Sequence, residues 1–210
     1  MKRVITEADL AEVADGTEYL VPRGTVVTPS ARERAAAHGI RVKEVRAEEI
    51  PATSAARVVA LGADHGGFRM KEALKPVFAD LGLEVRDVGV HEETPVDYSD
   101  VAQQVAELVA EGAAARGVMI DGAGIGSAMA ANKVPGVRAA LCYDKASARN
   151  SREHNDANVL TLGGRLLTET QAREVLYTWL TTPFAGGRHA GRVAKITELE
   201  RRYRTWSPRC

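Results

Sequence analysis

From Arg57 onward the chain repeats one pattern: a short run of Val, Ile, Leu and Ala, then a stretch of helical length with apolar residues three and four apart. "RVVALGAD" leads into "FRMKEALKPVFADLG", "LEVRDVGV" into "YSDVAQQVAELVAEGA", and "RGVMIDGA" into a glycine-rich loop. "VRAALCYD" precedes the helix-like "SARNSREHND", and "NVLTLGG" precedes "TETQAREVLYTWL", where Thr168 and Gln171 have capping-box spacing. Runs apolar on both faces suit central parallel strands, and such strands need helices on both sides. The pattern predicts an α/β fold built on a doubly wound parallel sheet of five strands.

The first fifty residues read as a separate small α/β module. Thr6 is a possible N-cap with Asp9 three positions on, Thr28 and Pro29 form a cap followed by proline in a first helical turn, and Gly39 is a helix stop. "PATSAA", Pro51 to Ala56, is short and uncharged and suits a linker. The expected division is a module at 1–50, a linker at 51–56 and a main domain at 57–210. Lys and Arg (28) balance Asp and Glu (28), so no global basic field points to nucleic acid, and no basic amphipathic helix points to a membrane surface. No apolar run approaches the ~20 residues that span a bilayer, and "MKRVITEADL" lacks the apolar core of a signal peptide. A cytoplasmic protein is expected. Cys142 and Cys210 form neither a disulfide framework nor a zinc pattern, and both are expected to be inert.

A doubly wound sheet binds ligands outside the carboxyl ends of its strands. Those positions hold Asp64 and His65, Asp87, Asp121, Tyr143 and Asp144, and Arg165. The loop from Asp121 has glycine at 122, 124 and 126. A dinucleotide fingerprint needs glycine where Ser127 stands, and a P-loop needs its lysine nearer than Lys133. What remains is a glycine-rich turn that can aim backbone N–H groups at an anion, or glycines present only for a tight turn. His154 and Asn155, in "NSREHNDANVL", read as a helix end or as catalysts. Arg188 and Arg192, four apart after Gly-Gly, share one helix face that suits either a phosphate or solvent.

Taken together and in this order, "GADHGGFRMKEAL", "VDYSD", "DGAGIGSAMAANKVPGVRAALCYD", "ARNSREHNDANVLTLGGR" and "GGRHAGRV" resemble the ribose-5-phosphate isomerase B family, which includes the galactose-6-phosphate isomerase subunits. The resemblance runs from about Val58 to Ile196. It implies a Rossmann-like or flavodoxin-like fold, a homodimer or dimer of dimers with active sites between subunits, and interconversion of an aldose phosphate and a ketose phosphate without metal or cofactor. By position, it implies that Asp64, His65 and Tyr98 contact substrate and that His154 assists ring opening. Asn155 and the amides of Gly122, Gly124 and Gly126 hold the enediolate, and Arg188 and Arg192 grip the phosphate with help from His65 across the interface.

The chain departs from that family's better-known branch at two places. Asp121 stands where that branch has a cysteine base, and Ala123 stands where it has threonine; a second branch has a glutamate base at the position of Ser127. One galactose-6-phosphate isomerase subunit also has Asp here and relies on a partner chain for its cysteine. A carboxylate can abstract a proton beside a carbonyl if it is placed within hydrogen-bond reach, so Asp121 is expected to be the base of an isomerase acting on ribose 5-phosphate or a related sugar phosphate. The alternative is a catalytically silent sugar-phosphate binder or assembly subunit. The stretches "VITEADL" and "LVPRGTVVTPSARERAAAHGIRV" resemble the start of accessory proteins from ethanolamine-utilisation loci. That implies a bacterial microcompartment shell or cargo partner for residues 1–50.

Overall fold

The computed structural model describes residues 4–7, 10, 13, 15–45 and 57–204. The chain divides into two compact units, Met1–Thr53 and Ser54–Cys210. The cap partner Asp9, the linker at 51–56 and Cys210 lie outside the described residues. Among the described residues no helix is long and apolar enough to cross a membrane.

The first unit contains β1 (Val4–Ile5), β2 (Glu18–Pro22), β3 (Val26–Val27), α1 (Pro29–Ala37) and β4 (Arg41–Val45). β1 pairs with β3 and β2 with β4, both in parallel. The helix starts where the sequence places its signals: Thr28 Oγ1 accepts the Ala31 N–H at 3.3 Å, and Pro29 opens the first turn. Gly39, with φ of +65°, follows its end. Ile5, Leu10, Val21, Ala31, Ala35 and Ile40 form its own small core.

The second unit runs β5 (Val58–Ala63), α2 (Phe68–Asp80), β6 (Glu84–Asp87), α3 (Tyr98–Ala110), β7 (Arg116–Asp121), α4 (Ile125–Ala131), β8 (Ala139–Leu141), α5 (Lys145–Glu153), β9 (Val159–Gly163), α6 (Glu169–Thr181) and α7 (Arg188–Arg204). The five strands are parallel in the order β6-β5-β7-β9-β8. The period of two along each strand sorts the core into layers. Leu61, Val118, Ile120, Leu160 and Leu162 pack with Leu74 and Phe78 of α2, Ala148 of α5, and Leu176 and Trp179 of α6. On the opposite face Ala60 and Val159 pack with Val105, Ala106 and Val109 of α3 and Ala131 of α4. Fully burying a large aliphatic or Phe side chain stabilises by ~1.5–3 kcal/mol, so these layers hold the helices, and with them the loops at the strand ends, in fixed places.

The order of strands decides where a ligand can enter. From β5 the chain moves outward to β6; α3 then carries it back past β5 to β7. The loops after β5 and β7 therefore leave the sheet in opposite directions, and the crevice between them opens at Asp64 and Asp121.

Candidate active site

Backbone bonds draw the carboxyl ends of three strands together. Asp64 N–H donates to the Ile120 carbonyl at 3.1 Å, Gly164 N–H to that of Asp121 at 2.7 Å, and Arg165 N–H to that of Gly122 at 3.1 Å. The Asp64 carboxylate is buried and turns back on its own loop, accepting the Gly67 N–H at 2.9 Å. His65, next to it, is exposed. His65 and Arg165 line one cavity of about 430 Å3 with Arg69 and Glu169. Tyr98 opens α3 and lays its ring over Gly126, so closely that a Cβ there would stand 2.5 to 2.9 Å from the ring carbons and hydroxyl. A side chain at 126 would have to push this exposed ring aside.

Asp121 closes this edge. Only 4% exposed, its carboxylate caps the turn into α4: Oδ1 accepts the Ala123 N–H at 2.8 Å and the Gly124 N–H, and Oδ2 accepts the Ser127 N–H at 3.0 Å. Gly124 takes φ of +77° to bring its N–H there, a conformation open to glycine. The acid at the lip of the glycine loop is therefore the anion that the loop cradles. The Gly124 N–H, expected to face substrate, is donated to Asp121 instead.

The remaining expected residues lie elsewhere. α5 starts after the carboxyl end of β8 and returns antiparallel to the strands, so His154 and Asn155, which follow it, sit at the amino edge of the sheet beside the start of β9. The Gly117 N–H donates to the Asn158 carbonyl at 2.9 Å and fixes that loop to the start of β7. Asp156, at φ of +47°, is braced by Arg152 at 2.8 Å and Arg138 at 3.2 Å. The segment before α7 is held by the Ala185 N–H on the Glu153 carbonyl at 3.0 Å, and His189 stacks on His154 with centroids 4.2 Å apart and planes within 3°. Burial, then the charges of His154, Arg188 and Arg192, push the buried His189 below the ordinary histidine range, against the pull of Glu153. Arg188 and Arg192 are exposed.

The structure thus forms two groups. Asp64, His65, Tyr98, Asp121 and the glycine loop meet at the carboxyl edge; His154, Asn155, Arg188 and Arg192 meet at the amino edge. The six residues of β7 separate these edges by roughly 17 Å at ~3.3 Å per residue, so one chain does not unite them.

A family model described as Ribose/Galactose Isomerase matches residues 59–196, most of the second unit. The chain belongs to the ribose/galactose isomerase family. Within it, the chain is 41% identical over 144 residues to the ribose-5-phosphate isomerase B of Escherichia coli K12, covering 69% of this chain and 97% of that protein. It is 38% identical over 144 residues to the D-erythrulose-4-phosphate isomerase of Pectobacterium atrosepticum, covering 68% and 94%. The solved ribose-5-phosphate isomerase B of Clostridium thermocellum superposes with a TM-score of 0.68 at 47% identity, covering 70% of this chain and 99% of that one. This member of the ribose/galactose isomerase family is an aldose–ketose isomerase of the ribose-5-phosphate isomerase B type. Two side chains beside its two groups, His189 and Asn150, escaped the sequence reading, and a third, Arg165, was named there without a role. Arg165 was visible only as the residue ending a strand run, and His189 and Asn150 carried no signal beyond lying near His154 and Arg188 in sequence or by helical period.

Proposed function

We propose that the chain interconverts ribose 5-phosphate and ribulose 5-phosphate, or a close sugar-phosphate analogue, at a site formed by the carboxyl edge of one copy and the amino edge of another. One observation supports this reading: Asp64, Asp121 and the glycine loop stand at one edge of the sheet and His154, Asn155, Arg188 and Arg192 at the other, and pairing two copies edge to edge is the arrangement that brings the two sets together. Asp64 and His154 act on the sugar ring as it opens. Asp121 moves the proton between the two carbons, through the lone pair of Oδ2 that its N–H donors leave over. Asn155 and the amides of Gly122 and Gly126 face the enediolate oxygen. Arg188 and Arg192 bind the phosphate, with His65 and Arg165 from the facing cavity. No cofactor takes part in these steps.

The capping of α4 by Asp121 favours a second reading, a silent binding or assembly subunit, because proton transfer at Oδ2 has to compete with the bond from Ser127. Turnover of a panel of four-, five- and six-carbon aldose phosphates by the purified protein decides between them; binding of every sugar without turnover leaves only the silent subunit. The shared site has its own test. Asp64→Asn and the Arg188→Ala/Arg192→Ala double variant are each expected to be nearly inactive. Mixed and re-paired, they should recover up to about a quarter of parental activity, since half of randomly paired dimers then hold one intact site in two. No recovery on mixing places the whole site within one chain.

A further inference from the structure

We propose that Asn150 is a positioning residue that holds His154 in the neutral tautomer with its proton on Nε2, so that His154 serves the sugar as a hydrogen-bond donor rather than as a cationic acid. This rests on the reading that His154 faces the sugar. The assignment starts from an atom whose role is beyond choice. Asn155 Nδ2 lies 3.3 Å from the backbone carbonyl oxygen of Asn150, and a carbonyl oxygen can only accept. The NH2 of Asn155 therefore faces Asn150, and the same nitrogen reaches Asn150 Oδ1 at 3.2 Å. That contact turns the Asn150 amide so that its oxygen points to Asn155 and its NH2 points away. The NH2 stands 2.9 Å from His154 Nδ1. An amide NH2 can only donate, so Nδ1 accepts, carries no proton, and leaves the ring's proton on Nε2.

His189 covers one face of His154 at 4.2 Å, and the charges of Arg188, Arg192 and Glu153 all reach His189. Arg152, in the last turn of α5, and Asp156, in the loop that follows, are paired with each other at 2.8 Å. Arg188 Nε is directed at His189 Nε2 at 3.5 Å, and the buried His189 Nδ1 has no hydrogen-bond partner among the described residues. A neutral imidazole with its proton on Nε2 can polarise a sugar oxygen through that N–H.

Two-bond 1H–15N spectra of the histidine ring nitrogens, with His154 assigned by His154→Gln, read the tautomer directly and do not depend on turnover. The parent should show a protonated Nε2 and a bare, hydrogen-bonded Nδ1 near neutral pH. Asn150→Asp offers only acceptors and should place a proton on Nδ1; Asn150→Leu should give a mixture of tautomers. Asn150 is exposed, so these variants test its hydrogen bond and not the fold. In turnover, Asn150→Asp should lower kcat about 10- to 100-fold with KM within about twofold, the mark of a group felt in the transition state. A protonated Nδ1 in the parent, or the same ring pattern in parent and Asn150→Asp, overturns the assignment. A changed tautomer with unchanged kcat overturns its catalytic part. A parent that turns over no sugar phosphate but shows the expected spectra instead marks the failure of the functional reading.

Discussion

Asp121 carries two demands on one carboxylate. Its three N–H bonds hold the turn into α4, and the lone pair left on Oδ2 is the place from which it can take a proton. Asp121→Asn keeps the shape and removes the base, and its NH2 then meets N–H donors in part of the cradle. We expect kcat to fall by a factor on the order of 10²–10⁴, the usual size of a general-base effect, together with a lower urea midpoint. Turnover equal to the parent's assigns the base elsewhere. The arginines separate cleanly from this, because they lie at the other edge and are exposed. Replacing Arg188 or Arg192 by Ala should act mainly on KM: a charge-assisted contact of roughly 1.5–3 kcal/mol corresponds to about 10- to 150-fold. Unchanged KM in both single variants returns that helix face to solvent.

At the scale of elements, α2 is locked to the end of β6 by a lysine with no exposure at all. Lys71 Nζ donates to both Asp87 oxygens at 2.8 Å and to the Val90 carbonyl at 2.7 Å, and Lys75 reaches Asp87 at 2.9 Å. Burial pushes the Asp87 carboxyl up, but the bonds from Lys71, Lys75 and the Gly89 N–H, with the Lys71 charge, outweigh it and hold it below the usual range. A carboxyl lowered in the folded state contributes stability above its unfolded value of about 3.9, and that contribution is lost as pH falls through the lower folded value. The urea midpoint should therefore drop below about pH 4, and less so in Asp87→Asn. Lys71→Met should cost about 3 kcal/mol, the low end for breaking a buried pair because Lys75 remains, and Lys71→Met with Asp87→Leu should restore much of it. A flat response of the Lys71→Met midpoint would mean that the pair is not needed to seat α2.

For the molecule as a whole, the two units pose the question of what residues 1–53 are for. We propose that they attach the enzyme to a partner, since the family match lies wholly within the second unit and the first has a core of its own. A chain starting at Ser54 should keep its oligomeric state and its turnover while losing co-purification with that partner. A folded but inactive product would put the first unit into the active site. How far such conclusions could be read without coordinates depends on the range of the interactions involved. The alternation of apolar runs and amphipathic stretches predicted the five strands of the second unit and helices α2, α3, α5 and α6, because period and capping residues such as Thr168 act within a few residues. The same local signals placed α1 between Thr28 and Gly39. The identities of Asp64, His65, Asp121, His154 and the arginines were likewise legible, since their chemistry and order belong to the chain itself. Their grouping was not. That Asp121 turns inward to cap α4, that Arg165 joins His65 in one cavity, and that His154 lies a strand's length from Asp121 follow from how helices return along the sheet and which N–H groups then stand open to a buried carboxylate. The Asp121 cap is short in sequence but depends on the burial that the sheet imposes, and the other two join residues distant in sequence, which only packing in three dimensions selects.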